Sequence, residues 1–317
     1  MTLSVEKFIN DGGYQQVIST LTAVSQRISE QKFFEIAPAD YMPVIQGEGA
    51  FSDEILNWKT ASAASDFEDG VMQNGANDAK SPDVSAEYSA DKQPVFNWAK
   101  GVPYSLFELE QARRANTLFS IIEARELSRV KNWQLGVQEI AFSGSSKLGI
   151  EGLLNQSAVA VDGVTITKYI KDMTPLEFDA FIGSVYEKYR SNCNRTAKPT
   201  HFVMPETDYN GLANFPDSTY PLKTRLQIIE ESFRLLTRNP SFQVLPCAYG
   251  DVSEFGAARY ALYNSDPTSV KMDIPIDYTQ TETGTWDGMH WRNIAYGQFT
   301  GVIALRPLEM LYFSHAG

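Results

Sequence analysis

Residues 142–155 read FSGSSKLGIEGLLN, and this stretch decides how the rest of the chain is interpreted. It directly follows residues 105–142, in which apolar side chains recur at the alternating spacing of three and four that is typical of one helix face. Ser105 and Glu108 form a predicted capping box at the start of this pattern. The two stretches together predict one long helix that ends in a short glycine-bearing loop.

The predicted helix has two distinct faces. Its apolar face comprises Ala112, Ala115, Phe119, Ile122, Val130, Trp133, Val137 and Ile140, and its charged face comprises Glu110, Arg113, Arg114, Arg125, Lys131 and Glu139. A helix about 55 Å long needs a surface to bury against along its whole apolar face. Glu126 falls on that face, either as an acid at the edge of the contact or as a pairing site for a basic residue of another chain.

A long helix, then a loop containing Gly144, then Gly149-Ile150-Glu151-Gly152-Leu153-Leu154-Asn155, resembles the major capsid proteins of tailed bacteriophages, which have the Hong Kong 97 fold. Other features agree with the resemblance: a polar hairpin-like segment before the helix, an α/β region after it, and a closing Gly-Val-Ile-Ala-Leu-Arg-Pro strand. No catalytic signature is present. The resemblance extends in order over nearly the whole chain and implies an α+β structural protein without enzymatic activity.

The resemblance also implies a division of the chain into parts. These are an N-terminal arm (1–44), an extended β-hairpin loop (45–101), the long spine helix with the peripheral domain (102–149), an axial domain with a central sheet and flanking helices (150–290), and the return strands of the peripheral domain (291–317). Within the arm, the apolar spacing of Val17, Ile18, Leu21, Val24 and Ile28 predicts an amphipathic helix. In the family the arm reaches neighbouring subunits, and the alternative is an ordinary N-terminal helix docked on its own domain. We expect no scaffolding segment fused before this short arm.

The segment 45–101 has few apolar residues and an excess of acids, so it cannot bury enough surface to fold alone. Asn74 and Gly75 predict a turn between two extended arms, with the tip at 74–82. The resemblance implies a two-stranded projection that lies over the adjacent subunit, and the alternative is a flexible surface loop. Some phage capsids of this fold crosslink this loop to a neighbouring subunit through a lysine and an asparagine. Here Lys80 lies near the tip, but no crosslinking partner for it is recognisable in the sequence. We therefore predict no covalent crosslink.

We interpret the acidic projection as lying on basic residues of the next subunit. The predicted contact residues are Asp66, Glu68, Asp69, Asn74, Lys80, Arg113, Arg114, Arg125, Glu126 and Arg129. The motif that we expect to define the fold comprises Gly144, Gly149, Gly152, Leu153, Leu154 and Asn155.

Periodicity predicts the elements after the spine helix. They are a hairpin at 157–167, a helix from Thr174 with proline at its first position, a strand at 201–205, a helix at 224–239, and strands at 242–245, 259–263, 296–305 and 308–313. Residues 270–278 alternate and are predicted to lead out of the axial domain. The resemblance implies that the last two strands return to the peripheral domain and pack beside the spine helix.

Composition excludes several classes of protein. The 317 residues carry a net charge of −12, which argues against a dedicated nucleic-acid reader with a basic face. No secretory signal, membrane-spanning run or internal repeat is recognisable. Cys193 and Cys247 have no framework spacing, as is usual for a chain made in a reducing cytoplasm.

The sequence signals for a catalytic, phosphate-binding or metal site are weak. Gly144 and Gly149 have the spacing of a phosphate-binding loop, but Ile150 and Glu151 stand where Lys and Ser or Thr are needed. The histidines, His201, His290 and His315, have no metal-ligand spacing, and the cysteines are read as buried thiols. The aromatic cluster at 286–291 could line a cleft, although it reads more simply as core. We predict no catalytic, cofactor or metal site.

The predicted function is a self-assembling icosahedral shell of hexamers and pentamers around double-stranded DNA, without sequence-specific DNA contacts and without a membrane. A portal protein and separate scaffolding or decoration proteins are the implied partners. The chain would assemble in the host cytoplasm and remain in the virion. The alternatives are the shell of an encapsulin-type compartment and a soluble α/β enzyme of unrecognised type.

Overall fold

The computed structural model of this chain describes residues 34–62, 86–115, 121–213, 222–285 and 287–315. The strands are β1 (Val44–Gln46), β2 (Glu54–Ser62), β3 (Ala86–Pro94), β4 (Phe96–Ser105), β5 (Val161–Asp162), β6 (His201–Pro205), β7 (Gln243–Cys247), β8 (Ala258–Tyr263), β9 (Val270–Ile274), β10 (Ile276–Gln280), β11 (Gly284–Thr285), β12 (His290–Phe299), β13 (Val302–Ala304) and β14 (Met310–His315). The helices are α1 (Leu106–Ala115), α2 (Ile121–Phe142), α3 (Pro175–Asn192), α4 (Glu206–Ala213), α5 (Arg225–Thr237) and α6 (Val252–Phe255). None of the helices within these ranges has an apolar stretch long enough to cross a membrane.

A five-stranded mixed sheet in the order β5-β14-β8-β6-β7 forms the centre of one part of the fold. Helices α3 and α5 pack against it because each carries an apolar stripe, which for α3 includes Phe178, Phe181 and Val185. Both helices begin at a threonine whose side chain accepts from the third helical N–H, and in both the residue at that position returns the bond. These capping boxes satisfy N–H groups that would otherwise lack intrahelical partners.

A second part of the fold is built on the long ladder between β4 and β12, which runs antiparallel from Ser105↔His290 to Phe96↔Phe299. Strands β10 and β11 pair with the other edge of β12, and α2 packs against the sheet through Trp133. A small sheet in the order β1-β9-β13 contributes Met272 and Val302 to the core that also contains Trp133 of α2. Residues of β8 join both cores, with Tyr260 and Leu262 facing the α3 side and their neighbours facing the α2 side.

Most of the elements predicted after the spine helix are confirmed. The helices begin as expected at Thr174 and Thr224, and strands form at His201–Pro205, Gln243–Cys247 and Ala258–Tyr263. The capping box at Ser105 is also present, since Ser105 Oγ accepts from the Glu108 N–H and Glu108 Oε2 accepts from the Ser105 N–H. Local signals of this kind depend on residues three or four apart, so the sequence displays them directly.

Three predictions differ from the structure. Residues 157–167 do not form a hairpin, because Val161–Asp162 pairs in parallel with β14 instead of with a neighbouring strand. Met310–His315 was expected beside the spine helix, but it pairs with β8 inside the five-stranded sheet. The single helix predicted for 105–142 is described as α1 and α2, and residues 116–120 between them lie outside the described ranges.

The segment before β1 lies partly on the chain's own body. Tyr41 and Met42 are buried in the core that also contains Phe142, and the Ile36 N–H donates to Gln138 Oε1 at 2.8 Å. The predicted N-terminal arm therefore ends in a segment that is anchored on α2. The helical pattern at 17–28 lies outside the described residues.

Candidate assembly surfaces

The loop after α2 can be built only from glycine at two positions. Gly144 has φ +70°, and a Cβ atom there would lie 2.3 Å from the carbonyl oxygen of Ile150. Gly152 approaches the helix end so closely that a Cβ would lie 2.5 Å from the Phe142 carbonyl oxygen. Glycine is the residue that tolerates both left-handed backbone and this close approach. The motif quoted from the sequence is therefore a backbone-to-backbone contact.

This contact caps the carboxyl end of α2, where helix carbonyls lack intrahelical partners. The Leu153 N–H donates to Ala141 O at 2.8 Å, and the Leu154 N–H donates to Phe142 O at 3.1 Å. Asn155 Nδ2 donates to Ser143 O at 2.7 Å. Leu153 and Leu154 are themselves fully buried in the core. The loop thus joins the end of the spine to the core, and a phosphate would meet the negative end of a helix dipole there.

Arg129 fastens the middle of α2 to the sheet. Its Nε donates to Tyr278 Oη at 2.9 Å, and its terminal nitrogens donate to Asn293 O at 3.0 Å and Asn293 Oδ1 at 2.8 Å. Only 4% of the residue is exposed. Its nitrogen donors are used inside its own chain, so the structure gives Arg129 a role within the subunit. Its contact with a neighbouring subunit stays a prediction.

Strands β2 and β3 form a two-stranded antiparallel ribbon that pairs with no other strand in the described part of the chain. The segment predicted as an extended hairpin loop thus contains the expected pair of strands, and its predicted tip lies outside the described residues. Gln93 anchors the base of the ribbon by donating from Nε2 to Thr300 Oγ1 at 2.9 Å and to Gly301 O at 2.7 Å. The ribbon exposes large apolar side chains farther out, because Leu56 is 49% and Trp58 is 71% exposed.

The remaining predicted contact residues are placed unevenly. Arg125 is partly exposed and pairs with Glu108 at 3.1 Å while donating to Pro103 O at 2.9 Å. This pair lowers the pKa of the Glu108 carboxyl. Glu126 is half-buried on α2. The other members, Asp66, Glu68, Asp69, Asn74, Lys80 and the side chains of Arg113 and Arg114, lie outside the described residues.

Sequence reasoning missed two polar groups that hold elements together. Gln93 is one, and its partner Thr300 is distant in sequence, so no local pattern points to it. Asp208 is the other, fully buried and accepting from Ile170 N–H at 3.0 Å, Lys171 N–H at 2.8 Å and Tyr260 Oη at 2.8 Å. Burial raises the pKa of this carboxyl, while its donors oppose that shift.

Neither cysteine is arranged for chemistry. Cys193 and Cys247 are free and buried, and burial raises the pKa of the Cys247 thiol to about 12. The predicted burial of both thiols is confirmed. Within the described ranges, no three His, Cys, Asp or Glu side chains come together as a potential metal site.

We expect both thiols of the folded chain to resist maleimide labelling at neutral pH, because the thiolate is the reactive form and both sulfurs are enclosed. In denaturant both should react. A Ser146→Cys variant provides the matched control, since Ser146 is exposed in the loop after α2 and its replacement should label in the native state. Mass spectrometry of the products gives the measurement. Native labelling of Cys247 as fast as that of the introduced surface thiol would contradict the expectation.

Comparison with known proteins identifies the family. The family model described as major capsid protein matches residues 69–315. This chain belongs to the major capsid protein family. The family is a structural one, and its members form the shell of the virion. A search of curated protein sequences found no significant match to this capsid protein.

Solved structures of related shells show the same fold. The capsid of Myoviridae phage XM1 superimposes with a TM-score of 0.74 at 17% identity, covering 94% of this chain and 99% of that one. The capsid of an empty GTA particle gives 0.55 at 12% identity, with 97% of each chain covered. Gordonia phage Cozz gives 0.53 at 14% identity, covering 97% of this chain and 94% of the other. The predicted α+β fold of the Hong Kong 97 type is thereby confirmed.

Proposed function

We propose that copies of this capsid protein assemble as hexamers and pentamers into the closed icosahedral shell of a tailed bacteriophage, which encloses double-stranded DNA. The observation that carries the proposal is the family match over residues 69–315, which includes α2, the motif that caps it and the five-stranded sheet. An icosahedral shell repeats each contact many times, so contacts that are individually weak become collectively strong.

The ribbon supports a mechanical role. It is anchored at its base by Gln93, yet its outer part exposes Leu56 and Trp58, and a two-stranded ribbon alone is marginally stable in water. A neighbouring subunit that covers these side chains would stabilise the ribbon and join the two subunits. The second mechanical element is α2, which is fixed at its middle by Arg129 and at its end by the loop around Gly144.

The proposal includes partners and a place of assembly. A portal protein and separate scaffolding or decoration proteins would complete the particle, and assembly would take place in the host cytoplasm. The net charge of −12 suits a shell whose inner wall repels packaged DNA. We propose that the contacts with DNA carry no sequence specificity.

Electron microscopy and size-exclusion chromatography of the purified full-length chain test the proposal. We expect closed particles of megadalton mass. A chain that remains a monomer or small oligomer, both alone and with candidate scaffolding proteins from the same genome, would contradict it.

Reversing three acids of the projection should impair assembly if they lie on basic residues of the next subunit. We expect the combined Asp66→Lys, Glu68→Lys and Asp69→Lys variant to yield fewer particles, because attraction across the contact becomes repulsion. Particle yield by sedimentation gives the measurement. The loss should be smaller at high salt, which screens exposed charges.

The matched control reverses three exposed acids elsewhere, Asp172, Glu187 and Glu282, and produces the same change in net charge. A second arm adds Arg113→Glu and Arg114→Glu to the projection variant and should restore part of the yield. Shells formed at the original yield by the first variant would remove this hypothesis while leaving the shell function intact.

A further inference from the structure

The alternation of hydrogen-bonded and non-hydrogen-bonded residue pairs along β2 and β3 shows which backbone groups of the ribbon face outward. The Val95 N–H donates to Asp53 O at 2.9 Å directly across the ribbon. Hydrogen-bonded and non-hydrogen-bonded pairs alternate in an antiparallel ladder. The pairs Glu54↔Pro94, Leu56↔Lys92 and Trp58↔Ala90 therefore belong to the non-hydrogen-bonded set. Their N–H and C=O groups point away from the partner strand, toward the two outer edges of the ribbon.

The outer edge of β3 is protected against further pairing. Pro94 has no N–H, and it occupies an outward-facing position where no ladder bond within the ribbon is lost. Lys92 is outward-facing on the same strand and places an exposed ammonium group 3.4 Å from the Glu54 carboxylate. Proline and lysine at such positions are the features by which natural edge strands avoid accepting another strand.

The outward positions of β2 carry neither proline nor lysine, and Glu54 at the first of them is their one charged residue within 54–58. The outward N–H groups of β2 belong to Glu54, Leu56 and Trp58, and no residue in the described part of the chain bonds to them. The side chains of Leu56 and Trp58 project from one face of the same strand, with Leu56 49% and Trp58 71% exposed. An open row of backbone donors and acceptors beside two large apolar side chains is complementary to an extended polypeptide segment.

We propose that the outer edge of β2 accepts a third strand from a second copy of this chain, with Leu56 and Trp58 packed against that strand. The inference rests on the proposed shell function and specifies how the ribbon is held. A second copy is the occupant because capsid proteins of this family assemble into oligomeric shells, in which copies of the chain contact one another and every copy carries the same open edge. Exposed tryptophan is typical of residues that dominate a contact between proteins.

Proline substitution tests the edge directly. Leu56→Pro removes one outward N–H of β2, whereas Lys92→Pro removes the N–H of the residue directly opposite, on the protected edge of β3. Neither change removes a hydrogen bond inside the ribbon, and Pro94 already shows that an outward position accommodates proline. A Leu56→Thr variant shortens the side chain but keeps the N–H, so it separates loss of packing from loss of the backbone bond.

We expect Leu56→Pro to lower particle yield about tenfold or more, because the lost bond recurs at every copy. Lys92→Pro should stay within about twofold of the original chain, and Leu56→Thr should fall between them. Circular dichroism of the unassembled variants establishes that each remains folded. Equal yields for Leu56→Pro and Lys92→Pro would overturn the proposal.

Hydrogen exchange with residue-level readout gives a second measurement on the unaltered chain. The Leu56 and Trp58 amides should exchange about a hundredfold more slowly in assembled particles than in unassembled chain, while the Ala90 and Lys92 amides change little. Unchanged exchange at Leu56 in intact particles would refute strand addition. Protection only in particles that contain another protein would overturn the assignment to a second copy. Failure of the unaltered chain to form any particle would refute the shell function instead.

Discussion

Gly144→Ala should destabilise the chain by about 3 kcal/mol or more and abolish particle formation. Alanine at φ +70° carries a strain of about 1 kcal/mol, and its Cβ would also lie 2.3 Å from Ile150 O and 2.7 Å from Gly152 N. Both neighbours are backbone atoms. They cannot move without breaking the bonds by which Leu153 and Leu154 cap the end of α2.

Substitutions at three other glycines separate the effect of left-handed backbone strain from the effect of a clash of the added Cβ. Gly152→Ala introduces a clash of 2.5 Å with Phe142 O at an ordinary φ, and Gly149→Ala introduces left-handed strain at φ +66° with no neighbouring atom within 4 Å. Gly136→Ala has neither problem, because it lies inside α2 facing open space, and it should stabilise the helix by about 0.5–1 kcal/mol. We expect Gly149→Ala to cost only about 1 kcal/mol.

Urea unfolding of the unassembled variants, followed by circular dichroism, measures the series. The expected order of stability is Gly136→Ala, the original chain, Gly149→Ala, and then the two variants that clash. A Gly144→Ala chain as stable as Gly149→Ala would show that the loop can open, and that the close contact with Gly152 does not hold the helix end.

Arg129→Met should reduce the free energy of unfolding by about 2–4 kcal/mol. Methionine fills much of the space of the arginine stem but donates no hydrogen bond. The substitution would leave Asn293 O and Asn293 Oδ1 without the Arg129 donor in a buried site. Tyr278 Oη would keep the bond from Gln280 Nε2. Unsatisfied buried acceptors retain the full cost of their lost solvation.

Arg125→Met is the matched control one turn earlier on α2. Its guanidinium is partly exposed and pairs with Glu108, so its loss should cost no more than about 1 kcal/mol. Arg129→Lys keeps the charge but cannot reproduce the planar donor arrangement, and its stability should lie between the two. Chemical unfolding gives the values, and equal stability of Arg129→Met and Arg125→Met would contradict the role assigned to Arg129.

The interpretation of α2 shows how far sequence reasoning reaches. Its apolar face was predicted from spacing, and Trp133 and Val137 are indeed buried on it. Arg129 was predicted to contact a neighbouring subunit because the acidic projection was interpreted as lying on basic residues there. The structure buries this arginine, since Tyr278 and Asn293, which are more than a hundred residues away, supply acceptors at the right positions.

The pairing of β14 shows a second limit of sequence reasoning. Its strand character was predicted from an apolar run, but its neighbours were not, and the structure pairs it with β8 and β5. Periodicity specifies which face of an element is apolar and says nothing about which distant element covers that face. The hairpin predicted at 157–167 was wrong for the same reason. The local turn signal gave no sign that residues 161–162 would pair with the distant strand β14.

The sequence by itself determined the family resemblance, the capping boxes, the long amphipathic pattern and the glycine motif at its end, because each depends on residues close together in the chain. Only the tertiary structure decided what Gly144 and Gly152 approach, how Arg129 and Gln93 fasten separate elements, and which edge of the ribbon stays open. Those features depend on contacts between residues that are distant in sequence, or on the parity of a strand ladder, and neither leaves a local pattern.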